Sequence, residues 1–222
     1  MTIYAYSWEK EILSRVPGVT RPALNTAVID ACQRFCEDTE LYIQNLTAID
    51  VAEDDRDYTL SAPTNTAFVN VLSVKYKENG ADDDQFSDLS PMSEDEWQRY
   101  CGGPWRYNEA DVPSKFWVDE SFILYLYPIP TKASTGGLLV EVALKPSDSA
   151  AILPDFLYNN WRNDIAWGAI AYLLSMQGMS WYDPEASLVY ESRFTQGLGK
   201  GKIKRITGRT RYQHRIRIPF FA

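Results

Sequence analysis

Residues able to do chemistry are few in this 222-residue chain, and their spacing argues against most reactions. The single histidine, His214, has no cysteine nearby at ligand spacing, and a Ser or Cys triad would have to use it as base. No Gly-x-Ser-x-Gly elbow occurs, so a serine or cysteine hydrolase is not expected. Cys32 and Cys36 stand one helical turn apart, yet a tetrahedral metal site needs two more ligands and Cys101 is the only other thiol. They read instead as small core residues flanking Phe35. Carboxylates form three runs, at Glu53/Asp54/Asp55/Asp57, Asp82/Asp83/Asp84 and Glu94/Asp95/Glu96. Paired carboxylates run glycoside hydrolysis and clustered ones hold Mg²⁺, which makes a glycan or nucleic-acid hydrolase the enzymatic alternative. Each run, however, falls in a turn or at a helix start, where acids are solvated and favoured by the helix dipole. The glycine-rich Gly197-Leu-Gly-Lys-Gly-Lys follows a helix instead of a strand and lacks a Ser/Thr after its Lys, so it is no phosphate loop. No catalytic residue, metal or cofactor is expected.

The remaining chemistry is charge. The last acidic residue is Glu191, and residues 192–222 hold nine cations and no carboxylate. Residues 1–191 set thirteen Lys and Arg against all 30 Asp and Glu, a net of about −17 beside a C-terminal stretch of about +9. An acidic body repels phosphate, while a basic segment seeks an acidic surface. The C-terminus therefore reads as an extended docking arm in three parts. A hinge is expected at Gly197, Gly199 and Gly201. A cationic run follows through Lys200, Lys202, Lys204, Arg205, Arg209, Arg211, Arg215 and Arg217. The apolar tip comprises Ile216, Ile218, Phe220 and Phe221. Arg215-Ile-Arg-Ile alternates like an edge strand able to add to a partner's sheet. Direct DNA binding by the same cations is the weaker alternative, because the acidic body opposes it.

The elements that carry these residues fall in three blocks. Ser7 is expected to cap a helix over 8–16 ended by Pro17-Gly18, and Thr20 a stronger one with Pro22 in its first turn. Leu24, Val28, Ala31 and Phe35 repeat at helical spacing as one apolar stripe. From about residue 41 the period changes to two: Tyr42 through Val51, Tyr58–Leu60, Phe68–Lys77, the hairpin Lys115–Val118 with Phe122–Tyr127, and Leu138–Leu144 read as strands. Their breaks are turn chemistry at 53–55, 62–65 and 79–82, and Ser93-Glu94-Asp95-Glu96 is a capping box before a short helix. From Pro154 the helical period returns through Leu157, Trp161, Ile165, Gly168/Ala169 and Tyr172, with Gly178 as the residue after the helix end. Asp183-Pro184 opens a last helix at least to Phe194.

The fold class expected is α+β: an antiparallel helical bundle with an inserted β-rich module and an extended basic C-terminal arm. The divisions are 1–40 for the N-terminal helices, 41–150 for the β module, 151–198 for the C-terminal helical hairpin and 199–222 for the arm. Three cysteines make no disulfide framework, and no signal peptide or ~18-residue apolar span is present. The expected setting is a cytoplasm, or a particle assembled in one.

This order of elements resembles a known family. Its letters are concentrated in Leu153-Pro154-Asp155-Phe156, in the helix beginning Trp161-Arg-Asn-Asp-Ile-Ala-Trp-Gly-Ala, in Trp181-Tyr-Asp-Pro-Glu with Tyr190 and Phe194, and in the glycine-containing basic tail. It is similar to the head-to-tail adaptor (connector) proteins of tailed bacteriophages, including the tail tubular protein A type. The resemblance implies a homo-oligomeric ring, twelve-membered, beneath the portal. Such a ring extends a channel through which double-stranded DNA passes without sequence-specific binding. It also implies a C-terminal segment docked on the portal protein, a platform for the tail nozzle or tail tube protein, and a place in the virion at the head–tail interface. Other tail-completion or baseplate proteins, or a carbohydrate-binding surface using Phe116-Trp117 and Tyr125–Tyr127, are the structural alternatives.

Overall fold

A computed structural model describes residues 3–78, 85–101 and 108–208. It is a mixed α+β protein whose chain divides into two compact units. Residues 42–154 make one, and the stretches before and after them make the other.

In the helical unit the first turn is a 3-10 segment, Ala5–Trp8, followed by α1 (Glu9–Leu13). Ser7, expected as the cap, sits instead inside that turn, and its hydroxyl accepts from the Tyr4 N–H at 3.3 Å. The segment starts earlier because Trp8 must be inside. Its ring is fully buried, and the indole N–H donates to the Arg162 carbonyl at 3.0 Å. The second helix, α2 (Arg21–Thr39), follows Thr20 with Pro22 in its first turn, and its Leu24, Val28, Ala31 and Phe35 are all buried. It ends at Glu40, whose left-handed backbone (φ 49°) lets its N–H reach the Cys36 carbonyl at 2.9 Å.

The β unit holds the third helix, α3 (Glu94–Cys101), and eleven short or long strands among the described residues. One sheet has the order β1 (Ile43–Asn45), β11 (Ser134–Pro146), β4 (Thr66–Tyr76), β5 (Ser87–Asp88), with β2 (Ile49–Val51) also on β11. The other runs β3 (Asp57–Thr59), β9 (Ile123–Tyr127), β8 (Lys115–Val118), β6 (Ser90–Pro91). A parallel pair, β7 (Glu109–Ala110) with β10 (Ile129–Pro130), stands apart. Alternation puts Leu138, Val140, Val142 and Leu144 of β11 on the same side as Val74 and Tyr76 of β4. Leu124 and Leu126 of β9 and Phe116 of β8 join them, so both sheets bury their inner faces in one core. The strand expected over Leu138–Leu144 starts earlier, and Gly136-Gly137 lies within β11. Gly136 takes φ +61°, and a Cβ on Gly137 would meet Ser134 at 2.8 Å, so the pair bends the strand instead of ending it.

The helical unit closes with α4 (Asp155–Leu174) and α5 (Pro184–Thr207). Leu157, Ile165, Gly168 and Ala169 of α4 are buried as the spacing requires, whereas Tyr172 is exposed. At Trp161 the helix is interrupted (φ −129°), next to the carbonyl that Trp8 engages. Gly178 (φ +81°) belongs to the turn after α4, four residues beyond the helix end. Among the described residues no helix is long and apolar enough to cross a membrane.

Candidate functional site

The candidate site is α5 and the cationic sequence it carries. The helix starts where expected: Asp183 accepts from the Ala186 N–H at 3.0 Å, and Pro184 occupies the first turn, where its missing N–H costs nothing. It reaches Phe194, as expected, and continues well beyond it. It runs unbroken for 24 residues to Thr207, and Gly208 (φ +61°) caps it through an N–H to the Lys204 carbonyl at 2.9 Å.

This overturns the hinge at Gly197, Gly199 and Gly201. All three lie inside the helix, and two are there for close packing. A Cβ on Gly197 would stand 2.6 Å from the Asp164 carboxylate, and one on Gly201 would stand 2.5 Å from Thr39 Cγ2. Both are buried, as is Phe194, whose ring lies where a Cβ on Gly168 of α4 would be, 2.9 Å away. Glycine's low helix propensity is outweighed by the helix contacts that its missing side chain permits. Gly199 differs: it is exposed and meets nothing within 4 Å.

The described cations of the expected arm are therefore fixed on a helix. Lys200 Nζ stands 3.8 Å from Asp164 of α4, and Lys202 Nζ 3.3 Å from Asp38 of α2. Lys204 is exposed and Arg205 half-buried. Nearer the start of α5, Arg34 of α2 pairs with Glu191 and lies over the Phe194 ring, 5.1 Å from its centre. Arg193 lies over Trp167 and Tyr190. Arg209, Arg211, His214, Arg215, Ile216, Arg217, Ile218, Phe220 and Phe221 lie outside the described residues.

Sequence reasoning passed over the outer side of this helix. Leu188, Val189, Ile203 and Ile206 are exposed by 72%, 53%, 64% and 85%. Their helical spacing is visible in the sequence, but which side faces outward follows only from the burial of Phe194, Gly197 and Gly201.

The other candidates are engaged locally. Asp54 takes φ 58° in its turn, and the Tyr58 hydroxyl donates to the Asp55 carbonyl at 2.9 Å. Ser93 and Glu96 form the expected reciprocal cap: the Glu96 N–H donates to the Ser93 hydroxyl at 3.3 Å and the Ser93 N–H to Glu96 Oε2 at 3.1 Å. That backbone hydrogen bond, with Lys115 nearby, holds the Glu96 carboxyl below its ordinary pKa. Asp111 is likewise lowered, chiefly by a hydrogen bond from Lys132. These shifts favour the charged form, opposite to what a general acid needs. Cys32 and Cys36 are buried. Burial pushes the Cys36 thiol up to about 12 and that of Cys32 well above its ordinary value, so both are protonated and inert at neutral pH. Among the described residues no three His, Cys, Asp or Glu side chains converge on a metal position. Asp82, Asp83 and Asp84 lie outside the described residues, as do the turn at 79–82 and Gly102–Trp105.

The aromatic face considered for sugars is partly occupied by α3. Trp97 of α3 stacks on Trp117 of β8 at 4.9 Å and 12°, and also meets Tyr125 of β9 at 4.9 Å. Arg56 lies over Trp97, 5.6 Å from the ring centre. These contacts occupy part of the ring surface and leave Trp117, Tyr125 and Tyr127 half-buried.

What these observations define is a contact-making protein: its described polar groups cap helices, close turns and pair helices, and its unusual surface is one long helix. The chain belongs to the SU10 adaptor protein family, whose sequence model matches residues 10–219. These are structural adaptors of phages, components of the virion. No curated protein matches the chain. The family shown is the adaptor at large, without the narrower tail tubular protein A type.

Proposed function

We propose that this adaptor works at the head–tail junction, as a ring beneath the portal that extends the DNA channel and gives the tail nozzle or tube its platform. The helices of residues 1–40 and 151–198 form the bundle by which copies stand side by side, and the β module of 41–150 serves the tail side. The C-terminal residues dock on the portal protein. The observation that carries this reading is the charge division, about +9 after Glu191 and about −17 before it, in a chain of the adaptor family. Acidic channel walls let DNA slide because they offer phosphate no cations to release counterions against. A cationic segment ending in Ile218, Phe220 and Phe221 supplies steering first and apolar hold second.

The test mixes the full-length chain with purified portal rings and counts decorated rings by electron microscopy. Wild type should decorate them. A full-length variant with Arg209, Arg211, Arg215 and Arg217 changed to Gln should bind at least tenfold more weakly at low salt and lose most salt dependence. Bare rings with wild type, or equal binding by the variant, would sink the docking role.

A further inference from the structure

Within the helical unit, the cleft between α1 and α4 gathers cations that the rest of the acidic body lacks. It holds about 330 Å³, near the lower end for small-ligand sites. Lys10 of α1, Arg15 just after it and Arg162 of α4 line it, against the single carboxylate of Glu11. Residues 1–191 hold thirteen cations and 30 acids, so three of the thirteen meet one of the thirty here. The cleft is net positive within a net negative body. Its apolar part is Ala166 and Ile170, both buried, with the half-buried ring of Trp167.

Rings hold these cations more than acids do. Arg162 Nε pairs with Glu11 Oε1 at 3.2 Å, and its guanidinium lies over Tyr158, 5.3 Å from the ring centre. Arg15 lies over Tyr190 of α5 at 5.8 Å and donates from Nη1 to that residue's hydroxyl at 3.4 Å. Arg193 lies over the same ring at 5.5 Å and over Trp167 at 5.9 Å, which sets a fourth cation beside the Trp167 wall. Among the described residues, Lys10, Arg15 and Arg193 pair with no carboxylate. A guanidinium held by its face leaves its N–H edge free, and that edge takes an oxyanion through two parallel hydrogen bonds.

We infer that this cleft binds a side-chain carboxylate from an acidic peptide segment of a protein partner. Three features select that ligand over phosphate. The apolar floor at Ala166 and Ile170 fits the methylene stem of an acidic side chain, whereas a bare phosphate gains nothing there. Glu11 repels a doubly charged anion more than a single carboxylate. Its Oε2 is buried with no hydrogen-bond partner among the described residues, and a peptide backbone supplies N–H donors of the kind that oxygen needs. A nucleic-acid strand is disfavoured further, since its other phosphates would meet the acidic body. The cleft uses none of the residues assigned to portal docking, so it stands or falls without that reading.

Titration of the ¹⁵N-labelled full-length protein with acetyl-Glu-Leu-Glu-amide, followed through the arginine Nε–Hε signals, tests this. The Arg15 and Arg162 signals should shift saturably, with a Kd of about 1 mM or tighter. Acetyl-Gln-Leu-Gln-amide should bind at least tenfold more weakly. Arg15→Gln, read at the Arg162 signal, should weaken the glutamate peptide at least tenfold with little change in Tm, since Arg15 is exposed. Lys204→Gln, a cation outside the cleft, should leave the affinity as it is. No saturable shift up to about 20 mM peptide would overturn the inference. So would equal binding of the glutamine peptide, equal binding by Arg15→Gln, an equal loss in Lys204→Gln, or inorganic phosphate binding more tightly than the glutamate peptide.

Discussion

If glycines 197–201 are packing sites in a rigid helix, alanine substitutions must separate them sharply. Gly→Ala in a helix interior gains about 1 kcal/mol of propensity wherever the methyl has room. Gly199 has that room, so Gly199→Ala should stabilise by about 0.5–1 kcal/mol. At Gly201 the same methyl would stand 2.5 Å from Thr39 Cγ2 and 3.3 Å from Phe35 Cζ. Thr39 has no easy escape. It is buried, β-branched, and its hydroxyl donates to the Phe35 carbonyl at 2.7 Å. Overpacking of this kind costs about 1–3 kcal/mol. The propensity gain is common to both variants and cancels in the comparison, so the gap between them is the clash alone, about 1–3 kcal/mol. For a protein of this size that corresponds to roughly 2–12 °C in Tm. Gly197→Ala should fall with Gly201→Ala, because the new Cβ would meet Asp164 Cβ at 2.7 Å as well as its carboxylate. Differential scanning calorimetry of the three variants reads the order directly. Three variants within about 0.3 kcal/mol of one another, as a solvated hinge would give, would refute the packing argument.

Two further outcomes follow from the chemistry of the candidate sites. In a Cys101→Ser background, Cys32 and Cys36 should resist a thiol reagent in the folded protein at pH 8 and react fully in denaturant, because burial raises both thiols; reaction in the folded state at the rate of a free thiol would contradict their core position. The Ser93–Glu96 cap should make α3 acid-sensitive. Glu96 titrates below its ordinary 4.5 when folded, so its stabilisation is complete above that pH and is lost as pH falls through the lowered value. The protection factors of the α3 amides, exchange rates normalised to the intrinsic rate at each pH, should fall between pH 5 and 3 in wild type and change little in Glu96→Ala.

Where the sequence was legible, local chemistry and tertiary packing agreed. The stripe Leu24–Phe35, the box Ser93–Glu96, the cap Asp183 with Pro184 and the pairing of 115–118 with 123–127 each follow from short-range patterns that the core then uses. The failures share one cause. Gly197, Gly199 and Gly201 are breakers by propensity, but each propensity loss is about 1 kcal/mol and, at Gly197 and Gly201, a neighbouring element that fits against the bare backbone outweighs it. That neighbour is distant in sequence: Asp164 for Gly197 and Thr39 for Gly201. Ser7 failed for a related reason, since the buried Trp8 sets where the first turn begins. At the candidate site, charge segregation was readable from composition, whereas the exposed row on α5 needed the buried face to be known first.

The longer helix also changes what the docking arm can be. Read from the sequence, the arm began at residue 199 and brought all its cations to the partner. With α5 continuous to Thr207, residues 199–207 of the expected arm belong to the helix. Of the cations assigned to the arm, Lys200, Lys202, Lys204 and Arg205 are held on α5, and two of them face acids of their own unit. If the C-terminal residues dock on the portal as proposed, Arg209, Arg211, Arg215 and Arg217 are the assigned cations left to steer them, and the salt dependence of portal binding should reflect about four charges and not eight.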